Sequence, residues 1–515
     1  MQIVDNRALM LKVRDAERIT SVIPKSKVIA DHDGYSEVLV HWGLEEAQVL
    51  KNLKVRDVPS PILSKYKWTG LHKPFEHQKD TASFLTLHRR AFCFNEQGTG
   101  KTASVIWAAD YLMTLGLIKR VLVICPLSIM DSAWRADLFT FAIHRTVDVA
   151  YGAREKRKKI INQGAEFTII NFDGLEIVAD DIDAADFDLI VIDEANAYKN
   201  PTTKRWKILN SLVKPHTWLW MLTGTPASQS PVDAYGIAKL VNPNGVPKFY
   251  SHFRDQVMQK ITMFKWVPKH DADTIVHKAL QPAIRYTKEE CLDLPELTYS
   301  TRDVPLTPQQ NKYYEKLRQE MLMIAAGEEI TTVNAAAAMN KLLQLSAGAV
   351  YSDTGEIVEF DASNRLNVLK EVIDEASHKV LVFVPYRHAI QIVTEELSKH
   401  YTVEIISGDV PVNKRTEIFK RFQETPHPKV LVIQPQAASH GVTLHAADTI
   451  VYWSPVMSVE TYLQANARVH RAGLKHPSTV IHLQGSPVEK RMYKMLQEKV
   501  DVHTKIVDLY GELLS

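Results

Sequence analysis

Cysteine is scarce: only Cys93, Cys125 and Cys291 occur in 515 residues, far apart and without CxxC spacing. That excludes a disulfide framework and a cysteine-rich zinc site, and points to a reducing compartment. No apolar run reaches the length a bilayer span requires. The opening MQIVDNRALMLKVRD carries acids and an Arg where a secretory leader needs an uninterrupted apolar stretch. A cytoplasmic protein without a membrane partner is expected. Net charge is nearly absent, at +2, so any nucleic-acid surface must be a local stripe on a neutral body. Solenoid-type repeats and low-complexity tracts are also lacking, which leaves periodicity and punctuation to reveal the organisation.

What is present is the composition of an ordinary globular protein, 45% apolar and 24% charged. The length is too great for one core, and two or three domains are expected. Short apolar runs rich in β-branched residues recur: VLVICP (121–126), FTIINF (167–172), LIVIDE (189–194), WLWMLTGTP (218–226), VLVFVP (380–385), VLVIQP (430–435) and TIVYW (449–453). Buried parallel strands have this character, and their alternation with amphipathic stretches predicts βαβ units. The fold class expected is α/β, with one lobe over 61–240 and a second over 351–515. Between them, 241–350 loses the strand pattern and reads as a helical insertion, as in PQQNKYYEKLRQEMLMIAAGEE and the AAAAMNKLLQL run. Residues 1–60, with LMLKV and EVLVHWGL, end near Pro59-Ser60-Pro61 and read as a small accessory domain.

The segment NEQGTGKT (95–102) follows an apolar stretch, Ala91–Phe94, and precedes a helix-like run from Ala103 to Leu115. Phosphates need a loop whose backbone amides point inward, glycines where a Cβ would block approach, and a Lys and a hydroxyl to complete the cradle. Gly98, Gly100, Lys101 and Thr102 supply these, although Asn95 stands where the GxxxxGK[ST] pattern has its first glycine. Asp193 and Glu194 close the LIVID strand, and strand ends are where such sheets bind ligands. An Asp there can share a Mg²⁺ with Thr102 while the Glu orients or deprotonates the attacking water. In QANARVHRAG (464–473), Gln464, Arg468 and Arg471 recur at helical spacing on one face. Such arginines either form a solvated basic face or, set across a cleft from a phosphate loop, stabilise charge on a transferred phosphoryl group. The basic stretch REKRKK (154–159) is likewise open between a nucleic-acid groove and a solvated helix face.

Together these segments resemble the helicase motifs of superfamily 2, and in particular its SWI/SNF-like, chromatin-remodeller ATPase branch. The resemblance runs through Phe75 and Gln78 (the adenine-selecting Q-type motif), NEQGTGKT, CPLSIMDSAW (125–134), INFDGL (170–175) and Asp193-Glu194-Ala195-Asn196. It continues through LTGTP (222–226) with Thr223 and Thr225, then VPLTPQQNKYYEKL (304–317), SNRLNVLKEVI (363–373), VLVFVPYRHAI (380–390) and ISGDVPVNKRTEIFKRFQ (406–423). QPQAASHGVTLHAAD (434–448), with Gly441 and Leu444, and the Arg468 and Arg471 segment complete it. The branch usually has His where Asn196 stands.

The resemblance implies two tandem RecA-like lobes, ATP as substrate with Mg²⁺, and monomeric translocation along double-stranded DNA held mainly by its phosphates. It implies nucleotide contacts from Gln78, Gly98, Thr99, Gly100, Lys101, Thr102 and Gly441, metal contacts from Thr102 and Asp193, and catalytic roles for Lys101, Glu194, Gln464, Arg468 and Arg471. Two alternatives stay open: a strand-separating DNA or RNA helicase of another superfamily 2 branch, and a nucleic-acid clamp with a decayed ATPase, which Asn95 and Asn196 would suit.

Overall fold

The computed structural model describes residues 1–224, 226–227, 230–262, 266–291, 295–327, 332–351, 357–438, 442–470 and 474–498. The chain divides into two compact units, Met1–Ala227 with Pro231–Cys291, and Ser228–Ser230 with Leu292–Ser515.

The first unit opens with β1 (Gln2–Val4), β2 (Ala8–Val13), β3 (Ser26–His32) and β4 (Tyr35–His41), an antiparallel sheet in the order β1-β2-β4-β3. Its strands alternate, so that Leu9, Leu11, Val38 and Val40 face inward and are fully or almost fully buried. Expected as a separate accessory domain, this sheet instead shares one core with the helices that follow. Leu9, Val38, Trp42, Leu50, Ile62, Ala82, Leu85 and Val105 belong to a single buried cluster. Polar ties reinforce it: Gln48 Nε2 donates to the Thr86 carbonyl at 2.9 Å, and the Ser60 and Thr86 hydroxyls lie 2.7 Å apart.

Beyond it come β5 (Arg90–Cys93), β6 (Val121–Cys125), β7 (Val147–Val149), β8 (Phe167–Asn171), β9 (Leu189–Asp193) and β10 (Trp218–Leu222). A short antiparallel pair, β11 (Met258–Lys260) and β12 (Trp266–Pro268), precedes β13 (Ala283–Ile284). The main sheet has seven strands in the order β13-β5-β10-β9-β6-β8-β7, every pairing parallel. β6, β8 and β10 are buried along their whole length, as continuous apolar strands covered on both faces must be.

The second unit contains β14 (Leu297–Asp303), the small hairpin β15 (Ala349–Tyr351) and β16 (Ile357–Glu359), then β17 (Lys379–Phe383), β18 (Val403–Ile406), β19 (Val430–Ile433), β20 (Ala447–Tyr452) and β21 (Ser478–Gln484). Its six-stranded sheet runs β14-β21-β20-β17-β19-β18, again parallel throughout. Both units are therefore parallel α/β sheets, and each apolar run singled out in the sequence overlaps one of their strands.

The stretch 241–350, read as a helical insertion, is divided between the units. β13 pairs with β5 at the edge of the first sheet, and β14 pairs with β21 at the edge of the second. The expected helices do form, at Pro308–Gly327 and Thr332–Ser346, within the second unit. Among the described residues no helix is long and apolar enough to cross a membrane.

Candidate nucleotide site

The phosphate-type loop joins β5 to the helix Lys101–Thr114. Gly98 and Gly100 have φ of 85° and 79°, the left-handed region that glycine enters without strain. Gly100 is the N-cap of the helix, and a Cβ there would lie 2.1 Å from Gln78 Nε2. The close approach of Gln78 thus gives this position a second reason to be glycine. Gln78 is buried on the helix Glu76–Thr86, where its Oε1 accepts from the Phe75 amide at 2.9 Å and its Nε2 donates to the Thr99 carbonyl at 3.3 Å. His77 Nε2 lies 2.8 Å from the same carbonyl, and Thr99 Oγ1 donates to the Glu96 carbonyl at 2.7 Å. Lys101 Nζ turns back into the loop, donating to the carbonyls of Asn95 at 2.8 Å and Glu96 at 3.3 Å. Thr102 is half-buried in the first turn of the helix.

β5, β10 and β9 are adjacent and parallel, so the loop after β5, the Thr223–Gly224 turn after β10 and the acidic pair ending β9 leave the same edge of the sheet. A Cβ on Gly224 would stand 3.3 Å from Gln97 Cγ, so this turn packs against the loop. Asp193 Oδ2 accepts from the indole of Trp134 at 2.9 Å, and its Oδ1 from the Glu194 amide at 3.0 Å. Burial pushes the Asp193 carboxyl above the ordinary Asp value, against the pull of the Lys101 ammonium and of those two hydrogen bonds. Glu194 has φ of 55°, a rare conformation for a residue with a side chain, and Gln97 Nε2 donates to its Oε1 at 3.4 Å. One unit therefore brings together Gln78, Gly98, Thr99, Gly100, Lys101, Asp193 and Glu194, each from sequence positions singled out beforehand. Of the two turn threonines, Thr223 is buried, while Thr225 lies outside the described residues.

The second unit holds Gln464 and Arg468, both largely buried. Gln464 lies on the helix Val459–Asn466 and donates to Glu460 Oε1 at 3.2 Å. The helical spacing expected through Arg471 stops short, because the helix ends at Asn466 and the chain continues in turns. The Asn466 side chain accepts from the Tyr452 hydroxyl at 2.9 Å, tying the helix end into the core. Arg468 Nη1 donates to the Val442 carbonyl at 3.4 Å, and the Leu444 amide to the Arg468 carbonyl at 2.9 Å, so the 442–444 segment and the arginine segment brace each other. Arg471 and Gly441 lie outside the described residues.

The basic stretch 154–159 also gains a partial assignment. Arg157 is buried, and donates to the Ala150 carbonyl at 2.5 Å, the Gly152 carbonyl at 2.8 Å and Asn171 Oδ1 at 3.0 Å. It is a structural clamp on the start of the 170–175 motif, while Arg154, Lys156, Lys158 and Lys159 are exposed.

A family model described as "SNF2-related domain" matches residues 72–349, more than half of the chain, and one described as "Helicase conserved C-terminal domain" matches 364–473. The chain belongs to the SNF2-related family. Similar curated proteins include "Chromodomain-helicase-DNA-binding protein 1-like" of Mus musculus, 24% identical over 88% of this chain and 52% of that protein. "SWI/SNF-related matrix-associated actin-dependent regulator of chromatin subfamily A-like protein 1" of Xenopus laevis is 24% identical over 89% of this chain and 49% of its own length. "Putative protein p41" of Acyrthosiphon pisum secondary endosymbiont phage 1 is 23% identical over 80% of this chain and 92% of that one. This SNF2-related chain thus spans about half the length of the first two relatives. A solved "Sulfolobus solfataricus SWI2/SNF2 ATPase core in complex with dsDNA" is similar over 87% of this chain and 95% of that one, at 21% identity and a TM-score of 0.43. The two parallel sheets of the chain agree with the α/β fold class expected of it.

Sequence reasoning placed the loop and the acidic pair but missed what surrounds them. In the sequence Trp134 is one residue of the 125–134 motif, Gln97 and His77 carry no signal, and Asn95 is a departure from the glycine pattern. Their partners lie on other strands and helices, and no local pattern announces such contacts.

Proposed function

We propose that the chain is an ATP-hydrolysing motor that acts as a monomer and translocates along double-stranded DNA, gripping it mainly through phosphates. The observation that carries this reading is the shared sheet edge: a glycine loop with Lys101 after β5, and Asp193-Glu194 at the end of β9. Membership of the SNF2-related family supports the choice of duplex DNA. The backbone of Gly98, Thr99 and Gly100 would cradle phosphates, with Lys101 leaving the Asn95 and Glu96 carbonyls to pair with them.

The donor set suits Mg²⁺: each Asp193 oxygen accepts one hydrogen bond and keeps a second lone pair, and Thr102 offers a hydroxyl at the helix start. When bound, Mg²⁺ supplies positive charge to the phosphate oxygens. Glu194 orients the attacking water and accepts its proton. Arg468 and Arg471 stabilise charge on the transferred phosphoryl group, with Gln464 in the same catalytic set, Gly441 lends a contact to the nucleotide, and Gln78 reads the adenine.

ATP turnover with duplex DNA, single strands and RNA tests the reading, with triplex displacement run beside strand unwinding. Duplex stimulation and triplex displacement without unwinding are expected. Stimulation by single strands or RNA with unwinding would favour another superfamily 2 branch, and nucleotide binding without turnover would favour a clamp. Lys101→Ala and Glu194→Gln are each expected to abolish hydrolysis and to leave DNA binding in place; unchanged turnover in both refutes the site.

A further inference from the structure

Asn95 occupies the place of the first glycine in the GxxxxGK[ST] pattern. Its side chain is buried and both ends are used: Nδ2 donates to Thr81 Oγ1 at 2.8 Å, and Oδ1 accepts from the Tyr286 amide at 3.0 Å. Its own carbonyl accepts Lys101 Nζ. The contact with Tyr286 belongs to a longer ladder. The amides of Phe92, Phe94 and Glu96 donate to the carbonyls of Pro282, Ile284 and Tyr286 at 3.0, 2.8 and 2.9 Å. The Lys288 amide donates to Glu96 Oε2 at 3.2 Å, and the Tyr286 hydroxyl to Asp80 Oδ2 at 2.9 Å. Residues 282–288 are thereby zipped along β5 and onto the first two residues of the loop. They are the last ladder before Cys291, where the first unit ends.

We infer that Asn95 is a positioning residue that links the placement of Lys101 to the backbone of Tyr286. One residue holds the lysine by its carbonyl and the departing segment by its carboxamide, so drawing the lysine towards phosphate disturbs both. A glycine at 95 would keep the backbone ladder but lose the bonds to Thr81 and Tyr286. An aspartate would keep an acceptor for the Tyr286 amide but lose the donor to Thr81, whose own hydroxyl hydrogen goes to the His77 carbonyl at 2.7 Å. Linkage of this kind is reciprocal: nucleotide at the loop alters the stability of 282–288 by the same factor that this segment alters nucleotide affinity.

The inference rests on the nucleotide site proposed above, and two readouts on the full chain separate them. Calorimetry with ADP and Mg²⁺ reads binding. Amide hydrogen exchange over 282–288, with 121–125 as reference, reads linkage. Saturating ADP is expected to change exchange over 282–288 by at least about fivefold in the wild type, the low end of ordinary coupling. Asn95→Asp should preserve that change and Asn95→Gly should reduce it below about twofold while still binding ADP. Wild-type protein that binds ADP with no change over 282–288 overturns the inference alone, whether or not Asn95→Gly folds. An equal change in Asn95→Gly also overturns it. Failure of the wild type to bind ADP overturns the nucleotide site and this inference together.

Discussion

The indole of Trp134 donates a 2.9 Å hydrogen bond to Asp193 Oδ2. Trp134 is fully buried on a π-helical turn, Met130–Arg135, and such turns recur at functional sites. The bond fixes one oxygen of a carboxylate whose burial already disfavours its charge. Trp134 therefore contributes to the charge state of Asp193 as well as to packing.

Trp134→Phe keeps most of the buried ring and removes only the N–H. Loss of an outer partner of a metal-holding carboxylate typically costs roughly 10–100-fold in metal affinity or activity. The expected result is a higher Mg²⁺ requirement for ATP turnover. Without the Trp134 bond the Asp193 carboxyl rises further, so the acid limb of the pH–rate profile should move to higher pH. A Mg²⁺ titration of turnover at several pH values measures both.

Gly236→Ala should damage the same unit from a distance. A Cβ at Gly236, on the helix Ala234–Val241, would stand 2.1 Å from the Lys199 carbonyl oxygen and 2.6 Å from that of Tyr198. Those atoms are backbone and cannot swing aside, so a cost of about 3 kcal/mol is expected, at the upper end for overpacking. The affected turn follows Glu194 directly in the chain. A lowered thermal midpoint with reduced turnover, in a variant that still folds, would show it.

Arg365→Met should cost about 3–5 kcal/mol, the penalty for leaving one partner of a buried ion pair alone. Arg365 and Glu489 form a two-pronged pair, with Nη1–Oε1 at 2.7 Å and Nη2–Oε2 at 2.8 Å, and their side chains are 3% and 0% exposed. Adding Glu489→Gln should recover part of the loss, because the charge left behind is removed. Thermal unfolding of the single and double variants makes the comparison.

Acid should weaken the second unit through His482. This side chain is fully buried beside the Tyr462 hydroxyl, and burial lowers its pKa from 6.5 to about 4. The unfolded chain takes up a proton below pH 6.5 and the folded chain only near 4. Stability is therefore intact above 6.5 and is lost as pH falls towards 4, by about 3 kcal/mol. His482→Gln should flatten that part of the stability–pH curve measured by urea unfolding.

The strands were legible because continuous β-branched runs have few homes other than the interior of a parallel sheet. The glycine loop and Asp193-Glu194 were legible as a turn before a helix and as a strand end because a Gly-rich stretch after an apolar run and an acidic pair closing another mark those places. The edge strands were not. β13 is only two residues long, and β14 (LTYSTRD) is half-exposed and polar, so neither carries the apolar signal and 241–350 read as helical. Asn95 looked like a defect because its partners Thr81 and Tyr286 lie 14 and 191 residues away. The arginine segment read as one helix because spacing alone does not show that the turn after Asn466 ends it.

The N-terminal sheet bears on how the molecule can be trimmed. A fragment begun at residue 61 would strip partners from the helix Glu76–Thr86, leaving the Thr86 carbonyl without its Gln48 donor, the Thr86 hydroxyl without Ser60 and the Phe84 ring without the Lys51 ammonium. That helix carries both Thr81 and Gln78 against the loop. Shortening the chain at what looks like a dispensable leading module would loosen the grip on Asn95 and Thr99 from behind, and a minimal fragment must keep those first sixty residues.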